Sequence, residues 1–215
     1  MAALDLPPAI PPDELADRCR EIAVLARVQP FVVEKDYYLT RLIWALAEIL
    51  GGGALLKGGT LLSKVDLVFQ RMSEDVDLVL PGVPATARLP NARRMDGVRD
   101  ALKRVAGIAG IRVRFPHGER SERDAHVRWE LPYNSEFGPQ FIVVETTIRP
   151  VLRPERRVAL KQLLPSGDLE GAYCWALDEL EARAEKVRAA FTRRVVRDYY
   201  DLQMLAERLL SLEPL

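Results

Sequence analysis

The sequence predicts an α+β fold with a helical C-terminal part, and three observations support this prediction. Apolar residues recur at helical spacing near both ends of the chain, and apolar runs of strand length lie between them. The order strand, glycine turn, helix, strand occupies Leu55–Leu80. The 215 residues can form one domain with a large core. We expect a core with N-terminal helices over residues 1–148, and a basic, mainly helical part over 149–215 that completes the active site.

Composition excludes several classes of protein. The formal net charge is zero, so contact with nucleic acid would need a local basic patch. Cys19 and Cys174 lie far apart and match no metal-ligand spacing, which predicts buried thiols in a reducing compartment. The N-terminal sequence does not resemble a signal peptide, and no later run approaches the roughly 18 apolar residues of a membrane span. We therefore expect a cytoplasmic protein with no membrane partner.

The first half of the chain predicts two long helices, then alternating strands and helices. Asp13 is a candidate N-cap because apolar residues then recur at helical spacing, as Leu15, Cys19, Ile22 and Leu25. Three glycines end the second helix, and Pro81-Gly82 ends the second strand. After the first helix, the predicted elements are helix Phe31–Leu50, strand Ala54–Leu56, helix Leu61–Phe69 and strand Asp75–Leu80.

The second half predicts a loop at Pro84–Pro90 and then a helix, three strands and two more helices. The strands are runs rich in β-branched and aromatic residues, and residues 149–171 are mixed. In order, these elements are helix Ala92–Val105, strands Ile111–Phe115, His126–Leu131 and Phe141–Ile148, and helices Leu177–Ala190 and Val195–Leu210.

Two carboxylates alternate on the strand that follows the glycine turn. Because strand side chains alternate between faces, Asp75 and Asp77 share one face while Val76 and Leu78 point into the core. Two adjacent anions repel each other, and burying them unpaired is costly. Their oxygens are the ligands that Mg²⁺ or Mn²⁺ prefers, together with substrate phosphates. A solvated strand face is the alternative for an isolated Asp-x-Asp.

The glycine turn supplies the complementary half of a site. Gly58–Gly59 allows close approach of the backbone and directs free N–H groups, with the positive end of the helix dipole, at an anion. Thr60 and Ser63 could add hydroxyl donors, and Ser73 shares the face of Asp75. An isolated Gly-Gly-Thr is often only a turn. Here the turn and the acids flank one short helix, which predicts a single site for a phosphate and a metal.

Four sequence blocks carry a family resemblance from Glu34 to Leu205: "EKDYYLTRLIWAL", "LLKGGTLLSK", "RMSEDVDLVL" and "AEKVRAAFTRRVVRDYYDLQML". The second and third resemble the DNA polymerase β superfamily of nucleotidyltransferases, although Thr60 replaces the serine of the superfamily pattern. All four, in order, resemble the AbiEii/AbiGii-type toxin nucleotidyltransferases of bacterial toxin–antitoxin and phage-defence pairs. The resemblance implies a polymerase β-like core, with a mixed sheet flanked by helices, and an NTP substrate.

The resemblance also implies roles for individual residues. Glu145 is the candidate for the superfamily's third acid, as general base or further metal ligand, and a charge at a sheet edge is the alternative. Lys186 matches the lysine that contacts nucleotide phosphates, and Asp198 matches an aspartate that supports the site. Asp201 is expected to fix an arginine. The nucleotide-binding set is then Lys57, Gly58, Gly59, Thr60, Ser63, Ser73 and Lys186, with Asp75 and Asp77 as metal ligands.

Two basic clusters lie in the last third of the chain. One spans Arg149–Lys161 with only Glu155 opposing it, and the other spans Arg183–Arg197 with only Glu185 opposing it. Solvated surfaces explain many such clusters. The functional interpretation is contact with an RNA backbone, with Tyr173 and Trp175 available to stack an end base. We predict RNA contacts at Arg153, Arg156, Arg157, Arg193 and Arg194.

Together, these observations predict a toxin that transfers nucleotides from an NTP, with Mg²⁺ or Mn²⁺, to an RNA acceptor. The resemblance implies the tRNA 3′ end as acceptor, which would block translation, and a cognate antitoxin as partner. One alternative is nucleotidylation of a protein, as in AMPylation. Another is a non-catalytic, antitoxin-like binding module, although such a module has no reason to keep Asp75, Asp77 and Lys186 together.

Overall fold

The computed structural model describes residues 6–67, 71–109, 111 and 118–212. The strands are β1 (Leu55–Lys57), β2 (Asp75–Pro81), β3 (Glu119–Ser121), β4 (His126–Tyr133), β5 (Gln140–Arg149), β6 (Arg156–Ala159) and β7 (Tyr173–Ala176). The helices are α1 (Pro12–Ala26), α2 (Pro30–Leu50), α3 (Gly58–Leu61, continued as a π turn over Leu62–Asp66), α4 (Arg88–Ala109), α5 (Glu179–Arg193) and α6 (Val196–Leu212).

The described strands form one mixed sheet in the order β3-β4-β5-β2-β1-β7-β6. Strand β1 is antiparallel to β2 and parallel to β7, while β2 is parallel to β5. The predicted α+β class and mixed sheet are therefore confirmed. Strands β6 and β7 follow residue 149, so the sheet crosses the predicted division at 148/149. The central pair β1 and β2 lies between the two halves of the sheet and carries the glycine turn and the paired aspartates.

Helix α2 is the buried scaffold of the molecule. It packs against α1, α4 and β7, and residues 33–47 are buried all around the helix. It begins at Pro30 because the fixed φ of proline and its missing N–H suit the first turn of a helix. It ends at Gly51, whose φ of +54° favours glycine. The predicted helix over Phe31–Leu50 is confirmed.

A buried ion pair fastens α2 to the element that carries the glycine turn. Lys64 Nζ lies 2.6 Å from Asp36 Oδ1 and donates to Thr40 Oγ1 at 2.7 Å. Asp36 Oδ2 also accepts from the backbone N–H of Leu163 at 2.9 Å. Both charged side chains are only 1% exposed. Because each charge sits in a low-dielectric interior, removing either partner should cost far more than breaking a surface pair.

Several predicted boundaries are wrong, for identifiable reasons. Helix α1 begins at Pro12 with Pro11 at its cap, so Asp13 lies in the first turn without a side-chain cap. Leu25 was expected on the apolar face, but it is 79% exposed near the end of α1. Helix α4 begins at Arg88, inside the predicted loop, and continues through Gly107, because one glycine does not end a helix held by packing.

Three short strands had no clear pattern in the sequence. Strand β3 is a polar edge strand, while β6 and β7 have only four residues each. All three are defined by pairing with neighbouring strands rather than by their own apolar runs. Of the predicted strand Ile111–Phe115, Ile111 forms a bridge to Tyr133, and its other residues lie outside the described part of the chain, as does Phe69 of the predicted short helix.

We predict that Asp36→Ala lowers the free energy of unfolding by about 3–5 kcal/mol, because the buried Lys64 ammonium loses its compensating carboxylate. Urea denaturation followed by circular dichroism measures the change. The matched control is Glu14→Ala, which breaks the Arg18–Glu14 pair at 3.8 Å on the exposed face of α1 and should cost less than about 1 kcal/mol. Equal losses in the two variants would contradict the role given to the buried pair.

Candidate active site

The site is built where the end of β1 meets the start of β2. Lys57 is the register partner of Asp77, so the glycine turn begins beside that carboxylate. Gly58 has a φ of +69°, and a Cβ atom at this position would lie 2.2 Å from Asp77 Oδ2. A Cβ on Gly59 would lie 2.9 Å from both Arg71 Nη2 and Ser73 Oγ. The two glycines therefore allow the backbone to lie directly against the polar groups of the site.

The two aspartates share one face of β2, as the alternation predicts. Val76 and Leu78 point into the core, while Asp75 and Asp77 are half-buried and line a pocket. Burial, with the neighbouring charges of Asp77 and Glu145, raises the pKa of the Asp75 carboxyl. This concentration of negative charge is the electrostatic condition in which a cation binds favourably.

The nearby hydroxyl groups have structural partners. Thr60 is fully buried and its Oγ1 donates to the backbone carbonyl of Asp75, which ties α3 to β2. Ser63 Oγ donates to the carbonyl of Thr60 at 3.2 Å. Their contact with nucleotide stays a prediction, and these bonds favour a positioning role for both side chains. Ser73, in contrast, lines the pocket.

Lys186 reaches the site from α5 and is held by acids from α6. Its Nζ lies 3.0 Å from Asp198 Oδ1 and 2.7 Å from Asp201 Oδ2. Arg71 Nη2 donates to Asp201 Oδ2 at 2.6 Å, which confirms the expectation that Asp201 fixes an arginine. Burial alone would raise the pKa of Asp201, but the hydrogen bonds from Arg71 and Lys186 lower it. Asp201 thus remains ionised and holds both cations in place.

These groups surround one open pocket of about 250 Å³. The pocket joins the glycine turn, the paired aspartates and the α5–α6 helical hairpin, which are far apart in the sequence. Its lining residues are Lys57, Gly58, Gly59, Leu62, Arg71, Ser73, Asp75, Asp77, Ala182, Glu185, Lys186, Arg188, Ala189, Thr192, Arg193, Arg197 and Asp198.

Glu145 lies beside the aspartates but outside the pocket lining. It is the register partner of Asp77 on β5, and its side chain is 40% exposed. Its carboxylate lies 3.9 Å from Arg128 Nε and 3.8 Å from His126 Nε2, both on β4. The structure therefore places a third acid on the same face as the pair, within a charged row that extends over β4.

The basic cluster around β6 is largely neutralised within the protein. Arg149 pairs with Glu181 and Glu185 at 2.9 and 2.6 Å. Arg156 Nη2 contacts both carboxylate oxygens of Asp66, and its Nε donates to the carbonyl of Leu177. The two other arginines also have internal contacts: Arg153 pairs with Asp178 at 2.7 Å, and Arg157 stacks 3.7 Å from the ring centre of Tyr173. These contacts favour a structural role and weigh against the predicted RNA contacts at Arg153, Arg156 and Arg157.

Two residues near the site were not assigned to it from the sequence. Arg71 covers Gly59, and Lys35 on α2 forms a 2.6 Å ion pair with Glu74, directly before Asp75. Lys35 also opposes the rise in the pKa of Asp75. Both residues lie inside the family-like blocks, and this was the only sign in the sequence that they belong to the site. Their partners could not be predicted, because Asp201 is 130 residues from Arg71 and Glu74 is 39 residues from Lys35.

Comparison with known proteins identifies the family. A family model described as the nucleotidyl transferase AbiEii toxin of type IV toxin–antitoxin systems matches residues 42–215. The chain belongs to this family. It is therefore a nucleotidyltransferase of the AbiEii toxin family, and a toxin–antitoxin family implies an antitoxin partner.

Solved structures agree on the fold. The Helicobacter pylori protein JHP933 is 18% identical with a TM-score of 0.56, and the match covers 83% of this chain and 67% of that one. A second H. pylori protein, whose nucleotidyltransferase function is inferred, is 19% identical with a TM-score of 0.57. The match covers 84% of this chain and 70% of that one. Comparison with curated proteins gave no match. No helix in the described residues is both long enough and apolar enough to cross a membrane.

We predict that Gly58→Ala both destabilises the protein and abolishes nucleotide transfer, because the new methyl group would displace Asp77 and alanine at a positive φ is strained by about 1–3 kcal/mol. Thermal unfolding and a labelled-nucleotide assay measure the two effects. Gly53→Ala is the matched control, since a Cβ at that position has no atom within 4 Å. Wild-type transfer by Gly58→Ala would contradict the assignment of the turn.

Proposed function

We propose that this toxin transfers nucleotides from an NTP to an RNA acceptor, the tRNA 3′ end, in a reaction that depends on Mg²⁺ or Mn²⁺. The observation that carries the proposal is the single pocket that joins the Asp75–Asp77 pair, the glycine turn and the Lys186–Asp198 pair. An acid pair alone could be a solvated strand face. Its combination with phosphate-binding groups in one pocket is what nucleotidyl transfer requires.

The donor set fits a hard divalent cation. Asp75 and Asp77 would hold it, and the pKa of Asp75 is raised first by burial and then by the charges of Asp77 and Glu145, which a cation would offset. Among the described residues no group of three or more acidic, histidine or cysteine side chains could form a metal site. Two carboxylates therefore leave coordination positions for water and phosphate oxygens, as Mg²⁺ sites usually do. When bound, the cation would activate the acceptor hydroxyl and neutralise the leaving pyrophosphate.

The other residues of the site would bind the triphosphate and accept a proton. The Gly58–Gly59 turn, with Lys57 at its start, would place backbone N–H groups against the triphosphate. Lys186, held by Asp198 and Asp201, would contribute a fixed positive charge that costs no rearrangement during the reaction. Glu145, beside Asp77 on the sheet, would accept the proton of the attacking hydroxyl, since among the described residues it forms no three-carboxylate metal group with the aspartate pair.

We expect that Asp77→Asn abolishes transfer and growth inhibition while the fold stays intact. The change removes a ligand charge but keeps the side-chain volume, and relief of repulsion with Asp75 should leave the melting temperature equal or slightly raised. Transfer is measured with labelled NTP, and folding by circular dichroism. Full activity in Asp77→Asn would refute the metal site.

For Lys186→Ala we expect a loss of roughly 2–4 kcal/mol in transition-state stabilisation, typical of removing one positioned charge. Arg71 still compensates Asp201 in this variant, but the buried Asp198 loses its ion-pair partner, so circular dichroism must accompany the kinetics. Steady-state kinetics across NTP concentrations separates binding from turnover. Unchanged kinetics would show that Lys186 has only a structural role.

The acceptor is tested by incubating the protein with each labelled NTP, total RNA and total cell protein. The proposal expects label at the 3′ end of tRNA, removed by ribonuclease and dependent on added Mg²⁺. Label on protein, with none on RNA, would replace the RNA acceptor by the AMPylation-like alternative.

A further inference from the structure

The α5–α6 hairpin ends in a protruding tip beside the pocket. The hairpin tip, Phe191–Arg197, is exposed at all seven positions. Arg194 makes the turn with a φ of +53°, and α6 begins at Val196. Arg193 and Arg197 also line the pocket, so the surface of the tip is continuous with the site.

The tip differs from the basic cluster around β6 in its ion pairing. Arg193, Arg194 and Arg197 form no ion pair within the described residues, and neither does Arg188, which lines the pocket one turn earlier. No acidic residue lies between 186 and 197, and Asp198, the next acid, is bound to Lys186. Positive charge on this surface is therefore available to a ligand, whereas Arg149, Arg153 and Arg156 around β6 are already paired with carboxylates.

The tip also exposes apolar surface among its arginines. Phe191 is 75% exposed and Val196 is 83% exposed. Exposed aromatic rings next to arginines are the combination that binds single-stranded nucleic acid, since arginines contact phosphates and rings stack with bases. A base can stack on Phe191 only when its face is free, so the strand that binds the tip must be unpaired.

We propose that the hairpin tip is the docking surface for the unpaired 3′ strand of the acceptor RNA. Arg193, Arg194 and Arg197 hold successive phosphates, Phe191 stacks with an unpaired base, and the terminal hydroxyl is directed toward Asp75 and Asp77. This inference rests on the proposed RNA acceptor and moves the main RNA contact from the β6 cluster to the tip.

The test measures binding of a fluorescein-labelled RNA hairpin with an unpaired 3′ tail, and of its blunt-ended counterpart, by anisotropy at several salt concentrations and without NTP. Arg193→Gln/Arg194→Gln should weaken binding and reduce the slope of log affinity against log salt by roughly 1.4, about 0.7 for each lost phosphate contact. Phe191→Ala should weaken binding of the tailed RNA by about 5- to 150-fold and leave binding of the blunt RNA unchanged.

The matched control is Arg93→Gln/Lys103→Gln, which removes the same charge from exposed positions of α4 that do not line the pocket. Equal losses in the two double variants, or an unchanged preference for tailed RNA in Phe191→Ala, would overturn the inference. Circular dichroism verifies that each variant is folded. If the tip variants bind and label RNA like the wild type, the docking surface is wrong and the proposed function stands. If the wild type labels no RNA, the proposed function fails.

Discussion

The contact between the glycine turn and Asp77 is the constraint on which the site depends. Strands β1 and β2 are antiparallel neighbours, so the end of one meets the start of the other. With a positive φ at Gly58 and no Cβ, the backbone can lie against the Asp77 carboxylate. Any side chain at Gly58 would separate the turn from the acid pair, so the proposed triphosphate and metal would no longer share a site.

Two ion pairs connect α2 to the elements on either side of this contact. The Asp36–Lys64 pair joins α2 to the turn's helix, and Lys35 holds Glu74 next to Asp75. On the open side, Asp201 holds Arg71 and Lys186 together. These pairs connect α2 and the α5–α6 hairpin to the surroundings of the acid pair and the glycine turn.

Local patterns predicted the parts of the site that depend on local geometry. Alternation along β2 was enough to place Asp75 and Asp77 on one face. The family-like blocks predicted that Lys186 and Asp198 belong to the site. Ion pairing could not be predicted in the same way, because Arg156 and Asp66 are 90 residues apart and Arg71 and Asp201 are 130 apart. The two arginine clusters therefore look equivalent in sequence, although Arg149, Arg153 and Arg156 are paired with carboxylates and the arginines of the hairpin tip, among the residues that the structure describes, are not. Short strands such as β7 are likewise defined by pairing rather than composition.

The most direct test of the central claim is the anomalous scattering of Mn²⁺ in crystals grown with a non-hydrolysable NTP analogue. The account predicts a manganese peak bound by the carboxylates of Asp75 and Asp77. It also predicts triphosphate density on Gly58–Gly59 within reach of Lys186. Manganese bound elsewhere, or a nucleotide outside this pocket, would contradict it.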